Sequence, residues 1–102
     1  MSRLEQLQEL VATSPDDPLT HYSLALEYNN LERWDDAIAA FEAALKVDAH
    51  YSAAYYHKAR AEIKASRREA ARSTLTVGIE IAGAAGDAKT VREMKDLLDT
   101  IS

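Results

Sequence analysis

The chain has 102 residues, 47% of them hydrophobic and 28% charged, which fits one ordinary globular domain. It contains no cysteine, which excludes disulfides, thiolate metal ligands and a cysteine nucleophile. The net charge of −5 argues against a general nucleic-acid binder.

The first predicted helix covers about residues 2 to 13. Its charges are scattered and it has no apolar core, so it does not read as a signal peptide. Throughout the chain, charged residues break each apolar stretch before the roughly 20 residues that a bilayer requires. We therefore expect a cytoplasmic protein that has no membrane partner.

Five further helices follow in chain order. Asp17 and Pro18 start the second helix, because aspartate accepts from free N–H groups and proline fits the first turn. Asp35 opens the third with negative charge at the positive end of the helix dipole, and Ser52 opens the fourth. The sequence contains no alternating run of β-branched residues of the kind that is typical of a strand. The expected ranges of these five helices are 18 to 30, 35 to 47, 52 to 65, 68 to 82 and 88 to 101.

The chain also matches itself at an offset of 34 residues, a period typical of stacked helical units. Leu7 falls on Phe41, and Phe41 falls on Leu75. Tyr22 falls on Tyr56 in the same way. The agreement is in residue class, which is what a shared packing geometry imposes.

These residues resemble the tetratricopeptide repeat, whose pattern is W-x2-L-G-x2-Y…A-x3-F…P. Within residues 18 to 51, His21 stands at the core position of the tryptophan, Ala25 replaces the glycine and Ala49 the closing proline. The remaining positions match, and they are Leu24, Tyr28, Ala37 and Phe41.

The second unit, residues 52 to 85, has Lys58 and Glu62 where the pattern carries apolar residues. Residues 4 to 17 resemble the trailing half of an earlier repeat, and residues 88 to 101 resemble a solvating cap. The resemblance implies an all-α fold, an antiparallel helix-hairpin solenoid of about six helices in a single domain.

Small side chains are expected where helices of such a stack cross closely. Phe41 and Leu75 would fill the space that these small residues leave. The expected seam positions are Ala25, Ala37, Ala44, Ala59, Ala71 and Gly78.

No constellation in the sequence indicates catalysis. The three histidines, His21, His50 and His57, are not spaced with carboxylates as a metal site or a catalytic base would be. Gly83 and Gly86 lack the preceding strand of a phosphate loop, and neither glycine is followed directly by a lysine. We predict neither an enzyme nor a bound metal or cofactor.

The resemblance implies that the leading helix of each repeat lines a concave groove that accepts a peptide. Arg60 and Lys64 could bind an acidic group there, whereas Tyr22 and Tyr56 either contact the peptide or pack on neighbouring helices. Tyr22 and Leu26 replace the lysine and asparagine of the clamp with which some family members hold chaperone tails, so we predict no such clamp. The candidate groove residues are Leu19, Tyr22, Leu26, Asn29, Asn30, Tyr56, His57, Arg60, Ile63 and Lys64.

The sequence leaves three functional hypotheses. The first is a scaffold or adaptor that binds a protein or peptide partner in the groove, an acidic one if Arg60 and Lys64 contribute. The second is weak homo-oligomerisation, in which the acidic N-terminal half meets residues 58 to 72, which hold six basic side chains against two acidic ones. The third is a structural part of a larger repeat protein.

Overall fold

A computed structural model of the protein describes all residues from Met1 to Ser102. It contains six α-helices and no strand, which confirms the predicted all-α class, and every helix ends within two residues of its predicted bounds. The helices are α1 (Arg3–Thr13), α2 (Pro18–Asn30), α3 (Trp34–Val47), α4 (Ser52–Lys64), α5 (Arg68–Ala84) and α6 (Ala88–Asp99).

Local hydrogen bonds fix the first residue of several helices. Ser2 and Glu5 form a capping box in which each side chain accepts from the other residue's backbone N–H at 3.1 Å. Asp17 Oδ1 accepts from the backbone N–H of Leu19 at 2.9 Å, and Pro18 occupies the first turn of α2. The cap at Asp17 explains why this residue marked the start of α2 correctly. By contrast, α3 begins at Trp34, one residue before Asp35, and neither α3 nor α4 has a side-chain cap.

The turns that follow α2 and α4 have the same geometry. Glu32 and Ser66, which are 34 positions apart, lie in the left-handed region with φ of 58° and 63°. In each turn, the residue after the left-handed one donates its backbone N–H to a carbonyl in the last turn of the preceding helix. These two bonds run from Arg33 to Tyr28 at 2.9 Å and from Arg67 to Glu62 at 2.7 Å. Gly86 repeats this turn after α5, with φ of 74°.

Helices that follow one another in the chain pack against each other as antiparallel neighbours. In addition, α2 contacts α4 and α4 contacts α6, whereas α1, α3 and α5 do not contact one another. The leading helices α2, α4 and α6 are therefore crowded on one side, and the trailing helices α1, α3 and α5 are spread on the other. This curvature makes the side of the leading helices concave, as it does in helical solenoids.

Two apolar clusters fill the space between the layers. The first joins residues of the first four helices, including Leu7 and Phe41, and the second joins α4, α5 and α6, including Leu75 and Met94. Leu7 is 6% exposed, and Phe41 and Leu75 are fully buried. The three residues that match at the 34-residue offset thus occupy corresponding core positions in α1, α3 and α5.

The predicted seam residues are all buried, and the five alanines among them have no exposed surface. Gly78 shows how closely the helices approach. A Cβ atom at this position would lie 2.6 Å from Met94 Sδ and 2.6 Å from Tyr55 Cβ. Backbone proximity between α5 and the two leading helices beside it therefore requires the absence of a side chain.

The two departures in the second repeat compensate each other. Glu62 is 4% exposed, and its Oε1 accepts a hydrogen bond from Thr74 Oγ1 at 2.7 Å. Lys58 Nζ lies 3.9 Å from Glu62 Oε2 and 3.7 Å from Glu42 Oε2. A charged cluster thus stands where Leu24 and its neighbours make apolar contacts in the first repeat. It is tolerated there because each buried polar group has a partner.

His21 differs in part from its predicted core position. Its side chain is half-buried rather than enclosed, and Nε2 lies 2.8 Å from the carbonyl oxygen of Pro15. A polar ring at this position requires an acceptor, which the loop before α2 supplies.

Candidate functional site

The concave side contains a cavity of about 240 Å³ between α2 and α4. Six of the ten predicted groove residues line it, together with two residues that were not predicted. The lining residues are Leu26, Asn29, Asn30, Trp34, His57, Arg60, Ala61 and Lys64.

Helical periodicity places these side chains on one stripe of each leading helix. On α4, the lining residues His57, Arg60, Ala61 and Lys64 follow the spacing i, i+3, i+4 and i+7. On α2, the three lining residues follow i, i+3 and i+4 and lie in the second half of the helix. The two stripes face each other across the cavity.

Trp34 and Ala61 were missed because they also serve the core. Trp34 begins α3, a trailing helix, and packs against the first apolar cluster while one side borders the cavity. Ala61 is 1% exposed and belongs to the same cluster. The signal for Trp34 was its type, since tryptophan is rarely buried completely.

Tyr22 packs into an aromatic group rather than on the cavity wall. Its ring centroid lies 4.9 Å from that of Tyr51, 5.9 Å from Phe41 and 5.9 Å from His57. Burial raises the pKa of the Tyr22 hydroxyl, and Tyr51 adds to the effect. These contacts favour the second of the two alternatives for Tyr22, in which the ring packs against neighbouring side chains.

The other three predicted residues do not line the cavity. Leu19 is 56% exposed near the start of α2. Tyr56 is half-buried, with its ring 5.2 Å from His57 and 5.8 Å from the Arg60 guanidinium. Ile63 packs against the second apolar cluster.

Arg60 and Lys64 are the free cations of this surface, since neither forms an ion pair. Of the other basic side chains between residues 58 and 72, three form ion pairs, and Arg68 is unpaired and exposed outside the cavity. Arg67 bonds Asp35 at 2.7 Å, and Arg72 bonds Glu69 at 2.8 Å. The cavity is therefore a positive site on a chain of net charge −5.

His57 is surrounded by aromatic rings at the inner end of the cavity. Its ring is stacked on Phe41, with the planes at 14° and the centroids 6.3 Å apart, while Tyr22 and Tyr56 approach it edge-on. Burial first, and then the positive charge of Arg60, hold the pKa of His57 below its ordinary value of 6.5, against an opposing effect of Glu93.

Asn29 supplies a hydrogen-bonding group on the opposite wall of the cavity. Its Oδ1 atom is buried and has no hydrogen-bond partner in the protein. A buried amide oxygen without a partner is costly, so a rotation of this side chain that lets the oxygen accept from a group in the cavity would be favourable.

A larger cleft, of about 620 Å³, lies at the other end of the stack, where α6 has no further helix beside it. Its lining includes both basic and acidic side chains, together with Val91 and two glycines. It includes none of the predicted groove residues. None of the six helices has the length and apolar character needed to cross a membrane, and no three histidine or acidic side chains are arranged to hold a metal ion.

Solved structures resemble this one over nearly the whole chain. A Bordetella parapertussis protein is 27% identical over 99% of this chain and 88% of its own, with a TM-score of 0.85. A tetratricopeptide repeat domain protein from Salinibacter ruber is 32% identical over 85% of this chain and 88% of its own, with a TM-score of 0.78. The TPR2B domain of yeast Sti1, solved as a complex with pHsp70, shares the fold at 22% identity over 96% of this chain and 78% of its own, with a TM-score of 0.91.

A family model gives the assignment. No curated protein sequence matches the chain. The model of the tetratricopeptide repeat matches residues 29 to 93, which is more than half of the chain. Together with the repeated hairpins and the Salinibacter ruber relative, this match shows that the chain belongs to the tetratricopeptide repeat family.

Proposed function

We propose that this protein is a non-catalytic interaction module that binds an acidic peptide segment of a partner protein between α2 and α4. The observation that carries the proposal is the presence of two unpaired cations, Arg60 and Lys64, beside the concave cavity. Elsewhere the chain pairs several of its basic side chains internally. The cleft along α6 also contains two unpaired cations, Arg92 and Lys95, but two aspartates share its lining. The cavity between α2 and α4 has no acidic side chain in its lining, so its positive charge is not offset there.

The chemistry of the two cations favours a carboxylate. A guanidinium such as that of Arg60 can hold a carboxylate with two parallel hydrogen bonds. Lys64 lies one helical turn after Arg60 on α4. Its ammonium group could therefore bind a second acidic side chain of the same peptide. The ligand class is therefore a peptide with at least two nearby acidic residues.

The opposite wall of the cavity supports binding of the peptide backbone. Asn29 Oδ1 accepts no hydrogen bond in the protein, and the side chain of Asn30 lies exposed at the same edge. Amide side chains can donate to a peptide carbonyl and accept from a peptide N–H. Cationic groups on α4 and amides on α2 would thus address the side chains and the backbone of one segment.

The size of the cavity also favours a peptide over a cofactor. Sites for drug-sized small molecules usually occupy about 300 to 1,000 Å³, whereas this cavity has about 240 Å³. It accommodates one or two side chains of a longer segment. The complex of the yeast Sti1 TPR2B domain with pHsp70 gives a precedent for peptide binding on this fold, although Tyr22 and Leu26 do not provide the chaperone-tail clamp in this chain.

Selection from a displayed library of random peptides tests the proposal. The wild-type protein should enrich acidic sequences, and R60E/K64E should lose them because both cations become anions. K46E/R68E is the matched control, since it makes the same change in net charge at exposed positions outside the cavity. Enrichment of the same acidic peptides by R60E/K64E and the wild type would move the site elsewhere.

A further inference from the structure

We propose that His57 is a proton-dependent recognition residue of this groove, so that the groove binds acidic peptides more tightly as the pH falls below neutrality. The inference rests on the proposed function of the groove. It adds a third cation, present only when His57 is protonated, to the permanent charges of Arg60 and Lys64.

The position of His57 gives it access to the ligand. It lies on the same stripe of α4 as Arg60 and Lys64 and lines the same cavity. Its ring nitrogens form no hydrogen bond within the protein, and the one buried side-chain polar atom without a partner is Asn29 Oδ1. The nitrogens of His57 are therefore not completely enclosed, and the ring borders the cavity from which a ligand group would approach.

The surroundings of His57 favour its neutral form in the free protein. From α4, Arg60 faces it with a positive charge, and from α6, Glu93 faces it with a negative one. The other titratable groups that face it are the rings of Tyr22 on α2, whose pKa is raised by burial, and Tyr56 on α4. The apolar ring of Phe41 closes the side towards α3.

A bound carboxylate would reverse this balance. It would neutralise the field of Arg60 and add a negative charge beside the imidazole, so the protonated form of His57 would gain stability in the complex. The complex would then take up a proton that the free protein does not hold. By linkage, affinity must rise as the pH falls from the pKa of His57 in the complex to its pKa in the free protein.

The test measures the affinity of a fluorescein-labelled octaglutamate peptide by fluorescence anisotropy at pH 7.5 and 5.5, at one low ionic strength. We expect the wild type, relative to H57Q, to gain affinity at pH 5.5 by up to about tenfold for each unit that the pKa of His57 rises on binding. The comparison with H57Q removes the contribution of the peptide's own carboxyl groups. H50Q is the control, because His50 lies exposed in the loop between α3 and α4, and it should keep the wild-type pH dependence.

Two negative results have different meanings. Binding that needs Arg60 and Lys64 but changes equally with pH in the wild type and H57Q would overturn the role of His57 and leave the proposed function intact. The absence of octaglutamate binding by the wild type at both pH values would overturn the acidic-peptide groove together with this inference. NMR titration of the His57 imidazole provides the direct readout, and its pKa should be higher with the peptide than without it.

Discussion

His21 and Tyr55, which are 34 positions apart, anchor their helices in the same way with different chemical groups. His21 Nε2 lies 2.8 Å from the carbonyl oxygen of Pro15, and Tyr55 Oη donates to the carbonyl oxygen of Ala49 at 2.7 Å. Pro15 and Ala49 are themselves 34 positions apart. Each ring therefore ties the first turn of a leading helix to the loop that enters it, across six residues.

The first prediction concerns this bond in the second repeat. Y55F should lower the free energy of unfolding by about 0.5 to 1.5 kcal/mol, because it removes one hydrogen bond and preserves the buried ring. Urea denaturation measures the change. Y56F is the matched control, since the Tyr56 hydroxyl makes no hydrogen bond within the protein, and it should leave stability nearly unchanged. Equal effects of the two substitutions would remove the anchoring role of Tyr55.

The fold was predictable from the sequence because its determinants are local and repeated. Helix starts were marked by residues such as Asp17, whose side chain caps a backbone N–H nearby in the chain. The 34-residue offset then located Phe41 and Leu75 in the core. The end of α5 was placed two residues short, at 82 rather than at Ala84, because glycine disfavours a helix and Gly83 therefore indicated its end. The helix continues through Gly83, and the left-handed turn comes at Gly86.

The site was less predictable, because it depends on contacts between helices. The stripe of leading-helix residues located Arg60 and Lys64 at the cavity, since helical periodicity alone determines which side they face. It could not separate Tyr22, which packs against Tyr51, from residues that line the cavity. Nor could it include Trp34, which comes from a trailing helix and reaches the cavity through the crossing of α3 and its neighbours.

The second prediction uses the charged cluster of the second repeat. Glu62→Leu should destabilise the protein by about 2 to 3 kcal/mol, because Thr74 loses a charged acceptor and Lys58 keeps Glu42 as its sole partner. The triple variant K58L/E62Y/T74A installs the residues that the first repeat carries at equivalent positions.

The free energy of unfolding of that triple variant should lie no more than about 1 kcal/mol below that of the wild type, since well-packed apolar side chains can replace a buried ion pair without loss. Thermal and urea denaturation of the wild type, the single variant and the triple variant test this. A triple variant as unstable as Glu62→Leu would mean that the two repeats are not interchangeable at these positions.

The third prediction contrasts two glycines of α5. G78A should lower the free energy of unfolding by about 1 to 3 kcal/mol, because the added Cβ would lie 2.6 Å from Tyr55 Cβ, an atom fixed to the backbone of α4. G83A should instead raise it by up to about 1 kcal/mol, since this helical position has no atom within 4 Å of the new Cβ and alanine favours the helix. Urea denaturation gives both values, and effects of the same sign would contradict the close approach of α5 to α4.

The fourth prediction is the pH dependence of folding that the neutral His57 imposes. Burial and Arg60 hold its pKa in the folded protein below 6.5, so the unfolded chain binds the proton more readily. The stabilising contribution is complete above about pH 6.5, the ordinary pKa of histidine, and is lost as the pH falls through the lower pKa of the folded state. Relative to H57Q, the wild-type free energy of unfolding should therefore decline between about pH 7 and pH 5.

Urea denaturation of both proteins across this range measures the difference, in which the carboxyl groups common to both cancel. Parallel curves would show that His57 does not experience the burial and charge that surround it in this structure.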